Sequence, residues 1–586
     1  MLSFLTTAKY DTASAMMPEE LPTETIKVAD YLLQRLLQLG IRSIFGVPGD
    51  YNLRLLDFVS PAGLHWVGNC NELNAAYTAD AYARINGLGA LITTFGVGEL
   101  SAINGIAGSY TEKVPVIHII GSPAREFQEA RAIMHHTLAD GNFRTFAAMS
   151  ANVTVAQANL IDPRIIPDQI DWILQQALVH SRPVSIELPE DIFDVIVSSS
   201  NLKSKKVAIP SAPSPENEPL VLEQVLECIY TTKQPMIIVD GESRALGILN
   251  EIDTVVKKTG WPTWTTLFAK GLVNEQLPNV YGTFTGAIDN LKHQEYFDSA
   301  DLIMTFGPHY SDTNSQRYRS IPKASATLTF SFNTVKIGDT IYRDIPQSFL
   351  SQLLQKLDRT RIPRAVGPPK PDSEPLKLNA NDPIVQKHLY HVLNPLIRPN
   401  DIILAEVGTA ALGSRLFKLP ETVRTFSLAT WMSIGYMLPA SLGAALAARE
   451  QNKDGKHRVI LFVGDGSFQL SVQEVSIIIK EKLDVIMLII NNEGYTVERA
   501  LHGRKQHYND ITSWKHSQTL SYFGADEEDS KNNYFAARTW RELNAALADK
   551  RIQEGNGLRI IEIFTGKEDV EGPLLFLMKK QISEEK

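Results

Sequence analysis

Cysteine is nearly missing from this chain: 586 residues contain only Cys70 and Cys228. That excludes a disulfide scaffold and a cysteine-based zinc site, and it suits a reducing compartment. No stretch approaches the ~20 uninterrupted apolar residues that a bilayer span requires. There is no excess of positive charge either. Lys and Arg total 57 against 66 Asp and Glu, a net charge of −9, so a nucleic-acid surface is not expected. The short basic run Lys203, Lys205, Lys206 reads as a solvated linker edge. The segment from Met1 to about Thr25 is polar, has Lys9 as its only base, and lacks the basic and apolar regions of a signal peptide. A cytoplasmic location is therefore expected. Short-period repeats and low-complexity tracts are absent, and the middle of the chain carries no glycine-rich dinucleotide fingerprint.

What is present is an α/β pattern repeated three times. A chain of this length exceeds what one hydrophobic core organises. Two Pro-rich polar stretches, Ile209–Pro219 and Pro363–Pro375, fix φ and remove N–H donors, so they read as linkers. The division expected is an N-terminal extension (1–25), a first domain (26–205), a middle domain (206–375) and a third domain (376–586). Short β-branched runs alternate with helical patterns in each, the mark of βαβ units and doubly wound parallel sheets. Strands are expected at Ser43–Phe45, Leu91–Phe95, Val116–Ile120 and Val184–Leu188 in the first domain. The middle domain offers Met236–Val239, Leu302–Phe306 and Thr327–Phe330. The third offers Ile402–Ala405, Val459–Val463, Val485–Ile490 and Arg559–Ile563. Active sites in such sheets sit just past the carboxyl ends of the strands.

In the third domain, Val459–Val463 runs into Gly464-Asp465-Gly466-Ser467. One helix and one strand later the chain reads Asn491-Asn492-Glu493-Gly494. Glycines let backbone approach an anion, and a helix N-terminus offers free N–H groups. Asp465, Asn492 and the Gly494 carbonyl are hard oxygen ligands. With two phosphate oxygens they leave one position for water around an octahedral Mg²⁺. This pairing is the thiamine-diphosphate signature. Such chemistry also needs a carboxylate for the cofactor's aminopyrimidine. Glu72 qualifies, standing between the strand-like His65-Trp66-Val67 and the small-residue helix Leu73–Ala79.

Phe45 through Asn52 (FGVPGDYN), Asn71 through Tyr77 (NELNAAY), Ile92 through Tyr110, His135-His136-Thr137, Ser433-Ile434-Gly435 and Thr496-Val497-Glu498 together resemble the thiamine-diphosphate-dependent 2-oxo acid decarboxylases, with the fungal pyruvate decarboxylases nearest in pattern. The resemblance implies three domains of the thiamine-diphosphate-binding fold, with thiamine diphosphate and Mg²⁺ as cofactors. It implies decarboxylation of a 2-oxo acid, pyruvate first, to an aldehyde and carbon dioxide through ylide and enamine stages. Glu72 would activate the pyrimidine, and Asp50, His135, His136 and Glu498 would surround the reacting carbon. Gly408, Thr409, Met432, Ser433, Ile434, Gly466, Ser467, Asn492 and Thr496 would bind the cofactor, with Asp465, Asn492 and Gly494 on the metal. By the same analogy Glu72 serves a cofactor held by another chain, making a homodimer the minimum and a homotetramer plausible.

Some positions depart from the family pattern. Val407 replaces a threonine, Met432 a glycine, Ala81 a glycine, and Val497 often an isoleucine. Asp240-Gly241-Glu242 stands where yeast-type enzymes carry a regulatory cysteine. These changes leave room for aromatic or branched 2-oxo acids, and Val407 and Met432 motivate a reading from another class, a filament-forming member with little activity. An FAD-binding carboligase would lack the tandem histidines.

Overall fold

The computed structural model describes residues 24–210, 215–288, 290–370, 376–451 and 457–585. Most of the expected N-terminal extension, and residues 211–214 and 371–375 of the two Pro-rich stretches, lie outside the described residues. Within the second stretch, 363–370 has no regular structure. The first stretch ends sooner than expected, because a helix starts at Glu218 and takes Pro219 into its first turn, where a missing N–H costs nothing.

The first sheet contains β1 (Ser43–Gly46), β2 (His65–Gly68), β3 (Gly89–Thr94), β4 (Val116–Ser122), β5 (Ala156–Asn159) and β6 (Val184–Pro189), all parallel, in spatial order 2-1-3-4-6-5. Every residue of β4 and β6 is buried, as strands covered on both faces must be. The middle sheet contains β7 (Pro235–Val239), β8 (Thr263–Thr265), β9 (Val280–Thr283), β10 (Leu302–Phe306), β11 (Thr327–Ser331), β12 (Thr334–Ile337) and β13 (Thr340–Arg343). Its first five strands form the expected parallel sheet, and β12 and β13 are antiparallel additions at one edge. Two-residue turns at Phe332-Asn333 and Gly338-Asp339 connect them, and Asn333 and Gly338 take the positive φ that such turns require.

The third sheet contains β14 (Ile402–Ala405), β15 (Arg424–Phe426), β16 (Val459–Gly464), β17 (Val485–Asn491), β18 (Tyr534–Ala537) and β19 (Leu558–Phe564), again all parallel. Its spatial order, 15-14-16-17-19-18, repeats the topology of the first sheet.

Six helices matter for the site: α1 (Glu72–Asn86), α2 (Val97–Thr111), α3 (Met437–Gln451), α4 (Asp465–Ser471), α5 (Thr496–Leu501) and α6 (Pro573–Glu584). Topologically equivalent in their domains, α1 and α3 pack on each other and join the first and third sheets through one buried core. Small residues make this approach possible. A Cβ added at Gly443 would lie 2.0 Å from the carbonyl oxygen of Thr78. The repeated topology therefore presents two sets of strand ends, one from each outer domain.

Candidate active site

The helix that follows β16 begins at Asp465 itself. Its carboxylate accepts the N–H of Gly466 (2.9 Å) on Oδ1 and that of Gly494 (3.2 Å) on Oδ2. Burial pushes this carboxyl up to about 6 despite those donors. From the neighbouring strand end, the Asn492 amide donates its NH2 to Asp465 Oδ1 (3.1 Å) and to the Gly494 carbonyl (2.8 Å). Asp465, Asn492 and the Gly494 carbonyl thus bring hard oxygen donors to one place, the donor chemistry that a hard cation takes. Gly494 has φ 131°, and a Cβ there would lie 2.2 Å from the Asn509 carbonyl oxygen. Arg499 ties the loop down, giving Nη2 to Glu493 O (3.2 Å), Asn509 O (3.0 Å) and Asp510 Oδ1 (2.6 Å).

Around this centre lie other residues singled out from sequence. Ser467 and Thr496 are buried, and Thr496 Oγ1 donates to Lys567 O (3.0 Å). Thr409 starts a short helix after β14 and its carbonyl accepts the Tyr390 hydroxyl (3.0 Å). A Cβ on Gly408 would be 3.6 Å from Val497 Cγ2. Val407 and Met432 both pack on the core shared by the outer domains. Met432 has φ 49°, the left-handed region that favours glycine. Ser433 meets Tyr77 of α1, Oγ to hydroxyl 2.6 Å.

In the first domain, the turn after β1 carries Asp50, and the loop after β4 carries His135 and His136. Asp50 Oδ2 contacts His135 Nε2 closely, and its Oδ1 lies 3.5 Å from His136 Nε2. Burial pushes the Asp50 carboxyl up. The hydrogen bond with His135 and the two imidazoles outweigh that effect and leave it below its ordinary value. Tyr51 stacks on His135, ring centroids 4.8 Å apart. Side-chain exposure in one chain is 46% for Asp50 and 57% for His135, so the dry pocket that proton transfer requires is open on this side. Glu498 on α5 is also exposed. Among the described residues no hydrogen bond or ion pair joins Glu72 to Asp465, Asn492, His135 or Glu498. Glu72 instead faces Gly98, where a Cβ would lie 2.9 Å from its Oε1.

Comparison with known proteins decides what this arrangement is. Family models match residues 26–143 (thiamine pyrophosphate enzyme, N-terminal TPP binding domain), 222–353 (central domain) and 406–551 (C-terminal TPP binding domain). Over 574 residues the chain is 47% identical to the pyruvate decarboxylase of Aspergillus parasiticus, covering 96% of this chain and 98% of that protein. Identity to the pyruvate decarboxylase of Aspergillus fumigatus is 38% over 553 residues, 94% of this chain and 96% of that one. To pyruvate decarboxylase isozyme 1 of Saccharomyces cerevisiae it is 36% over 545 residues, 92% and 95%. The chain belongs to the pyruvate decarboxylase family of thiamine pyrophosphate enzymes.

Residues present in this member of the family fit the cofactor. The cluster of Asp465, Asn492 and Gly494 oxygens suits a divalent cation paired with a diphosphate, and Gly98 leaves the Glu72 carboxylate uncovered. Three buried carboxylates escaped the sequence reading. Glu474, nine residues past Asp465 in sequence, accepts from Cys70 N (2.9 Å), Asn74 Nδ2 (3.2 Å) and Asn69 Nδ2 (3.2 Å), so it holds the segment that presents Glu72. Glu406 accepts the N–H groups of Val407 and Met437 (both 2.9 Å), and burial pushes it up to about 7. Glu112 Oε1 gathers the N–H groups of Ala429, Thr430 and Trp431 (3.1, 3.0 and 3.2 Å), fixing the approach to Met432. Glu406 had a readable signal, a carboxylate directly after an apolar strand. Glu112 and Glu474 had none, since their partners lie more than 300 residues away in sequence.

Proposed function

We propose that the protein decarboxylates pyruvate to acetaldehyde and carbon dioxide with thiamine pyrophosphate and Mg²⁺. The observation that carries this reading is the family's acid/base set and metal loop standing together on a chain 47% identical to a pyruvate decarboxylase over nearly its full length. The comparisons favour neither a larger 2-oxo acid nor an inactive filament-forming role.

Thiamine pyrophosphate, when bound, supplies a nucleophilic carbon and a sink for the electron pair that departing carbon dioxide leaves behind. The chain supplies everything else. Asp465, Asn492 and the Gly494 carbonyl would hold the cation. Gly408, Thr409, Gly466 and Ser467 would line the diphosphate, with Thr496 beside them. Met432, Ser433 and Ile434 would seat the ring system, with the Met432 carbonyl as an acceptor. Glu72 would hydrogen-bond the pyrimidine. Asp50, His135, His136 and Glu498 would hold and move the protons that the reacting carbon and its hydroxyl exchange.

Two chains form the site in this reading. Support comes from the open Asp50–His135 pair, the distance in contacts between Glu72 and its own chain's metal loop, and exposed apolar side chains nearby, among them Leu138, Ile434 and Leu470. A second copy would cover these groups and exclude water. A homotetramer of two such dimers and a cytosolic location complete the proposal. No helix among the described residues is long and apolar enough to cross a membrane. The test is carbon dioxide release from pyruvate, phenylpyruvate and branched 2-oxo acids by the cofactor-loaded protein. Preference for pyruvate is expected; preference for a larger acid would reassign the substrate.

A further inference from the structure

A cavity of about 570 Å³ lies where the three domains meet, and none of its lining residues belongs to the active site. The C-terminal end of α1 contributes Arg84, the middle domain Arg244, and the start of β15 Arg424. This volume is typical of small-molecule sites. Three guanidinium groups thus face one lining carboxylate, Glu421, whose Oε1 already accepts from Asn274 Nδ2 (3.2 Å).

Each arginine has a structural partner and keeps donors beyond it. Arg84 gives Nε to Asp80 Oδ1 (2.7 Å), yet its Nη2 is buried without a partner, although the side chain is only 3% exposed. A buried donor left unpaired costs stability unless something fills the site. Arg244 uses Nη2 on the carbonyls of Glu112 and Lys113 (both 3.2 Å). It lies deep between domains but keeps surface open to the cavity. Burial, and after it neighbouring Arg84, pushes its guanidinium down to about 10. Arg424 stands at the mouth, exposed, with Nη1 3.5 Å from Gln451 Oε1. The remaining wall is apolar, with Leu249, Phe268, Val423 and Phe426.

We propose that this cavity binds a small phosphate monoester, its dianion held by Arg84, Arg244 and Arg424 and its carbon body against the apolar wall. Guanidinium forks match phosphate oxygens two at a time, and the low-dielectric setting strengthens each bond. Such a ligand joins all three domains.

The probe is phenyl phosphate, titrated calorimetrically into enzyme saturated with thiamine pyrophosphate and Mg²⁺, so that the cofactor site is closed to it. Inorganic phosphate is the second arm. Saturable binding at one site per chain is expected, tighter for the ester than for inorganic phosphate. Arg424→Ala should weaken it about tenfold or more while decarboxylation persists, because Arg424 is exposed and outside the active site. Arg244→Ala should do the same, and Lys203→Ala, on the exposed basic run, should change nothing. Absence of saturable binding overturns the proposal, as does binding that Arg424→Ala leaves undiminished. Inorganic phosphate binding as tightly as the ester overturns the assignment of an organic body.

Discussion

Met432 occupies a backbone conformation that suits glycine. A left-handed φ of 49° costs a non-glycine residue about 1–2 kcal/mol, and the Met432 side chain recovers part of that by packing on the shared core. Met432→Gly should therefore change stability by no more than about 1 kcal/mol. Met432→Val, β-branched at positive φ, should destabilise by about 2 kcal/mol. Denaturant unfolding of the two variants reads this order, and equal stabilities would contradict it. Glu99 carries a second residue-scale expectation. Burial, then nearby Glu187, raises its carboxyl from the ordinary 4.5 to about 7. The folded state thus holds the proton more tightly than the unfolded chain. That stability is complete below pH 4.5 and lost as pH rises through about 7. Glu99→Gln should keep it, making the variant more stable than the wild type at pH 8, by at most about 3 kcal/mol, and not at pH 4.5. Parallel melting curves with no such crossover would refute the assignment.

At the scale of elements, the α1–α3 junction fixes how the outer sheets meet. Gly443→Val places atoms where the Thr78 carbonyl stands and should cost about 1–3 kcal/mol from overpacking, measured as a lowered denaturation midpoint with reduced cofactor affinity. Unchanged stability would mean the helices can separate freely. The same scale shows what was legible beforehand. The apolar, buried strands β4, β10, β14, β16 and β17 announced themselves as apolar runs bounded by turn residues. Short or half-exposed strands such as β5, β15 and β18 carry too few apolar residues for such a signal, and β12 and β13 hide in polar sequence whose Asn and Gly turns were the only clue. Asp465, Asn492 and Gly494 were readable because their spacing follows from one helix and one strand. Asp50 with His135 was readable only through family resemblance, since no local rule brings residues 85 apart into contact. Glu474 was beyond reach because its partners come from another domain.

For the whole molecule, the two-chain site makes a prediction that a single-chain site does not. Mixing Glu72→Gln chains with Asp465→Ala chains, each inactive alone, gives hybrid dimers. In a hybrid, one site keeps both Glu72 and Asp465 and the other loses both. Random reassortment should restore about a quarter of wild-type activity. No recovery would place both residues on the same chain's site. Thiamine-dependent decarboxylation is tested most directly by stripping the purified protein of cofactor and metal, then measuring carbon dioxide release from pyruvate as each is restored. Release in step with acetaldehyde, only when thiamine pyrophosphate and Mg²⁺ are both present, is the expected result. Release without thiamine pyrophosphate, or none after both are restored, would contradict it.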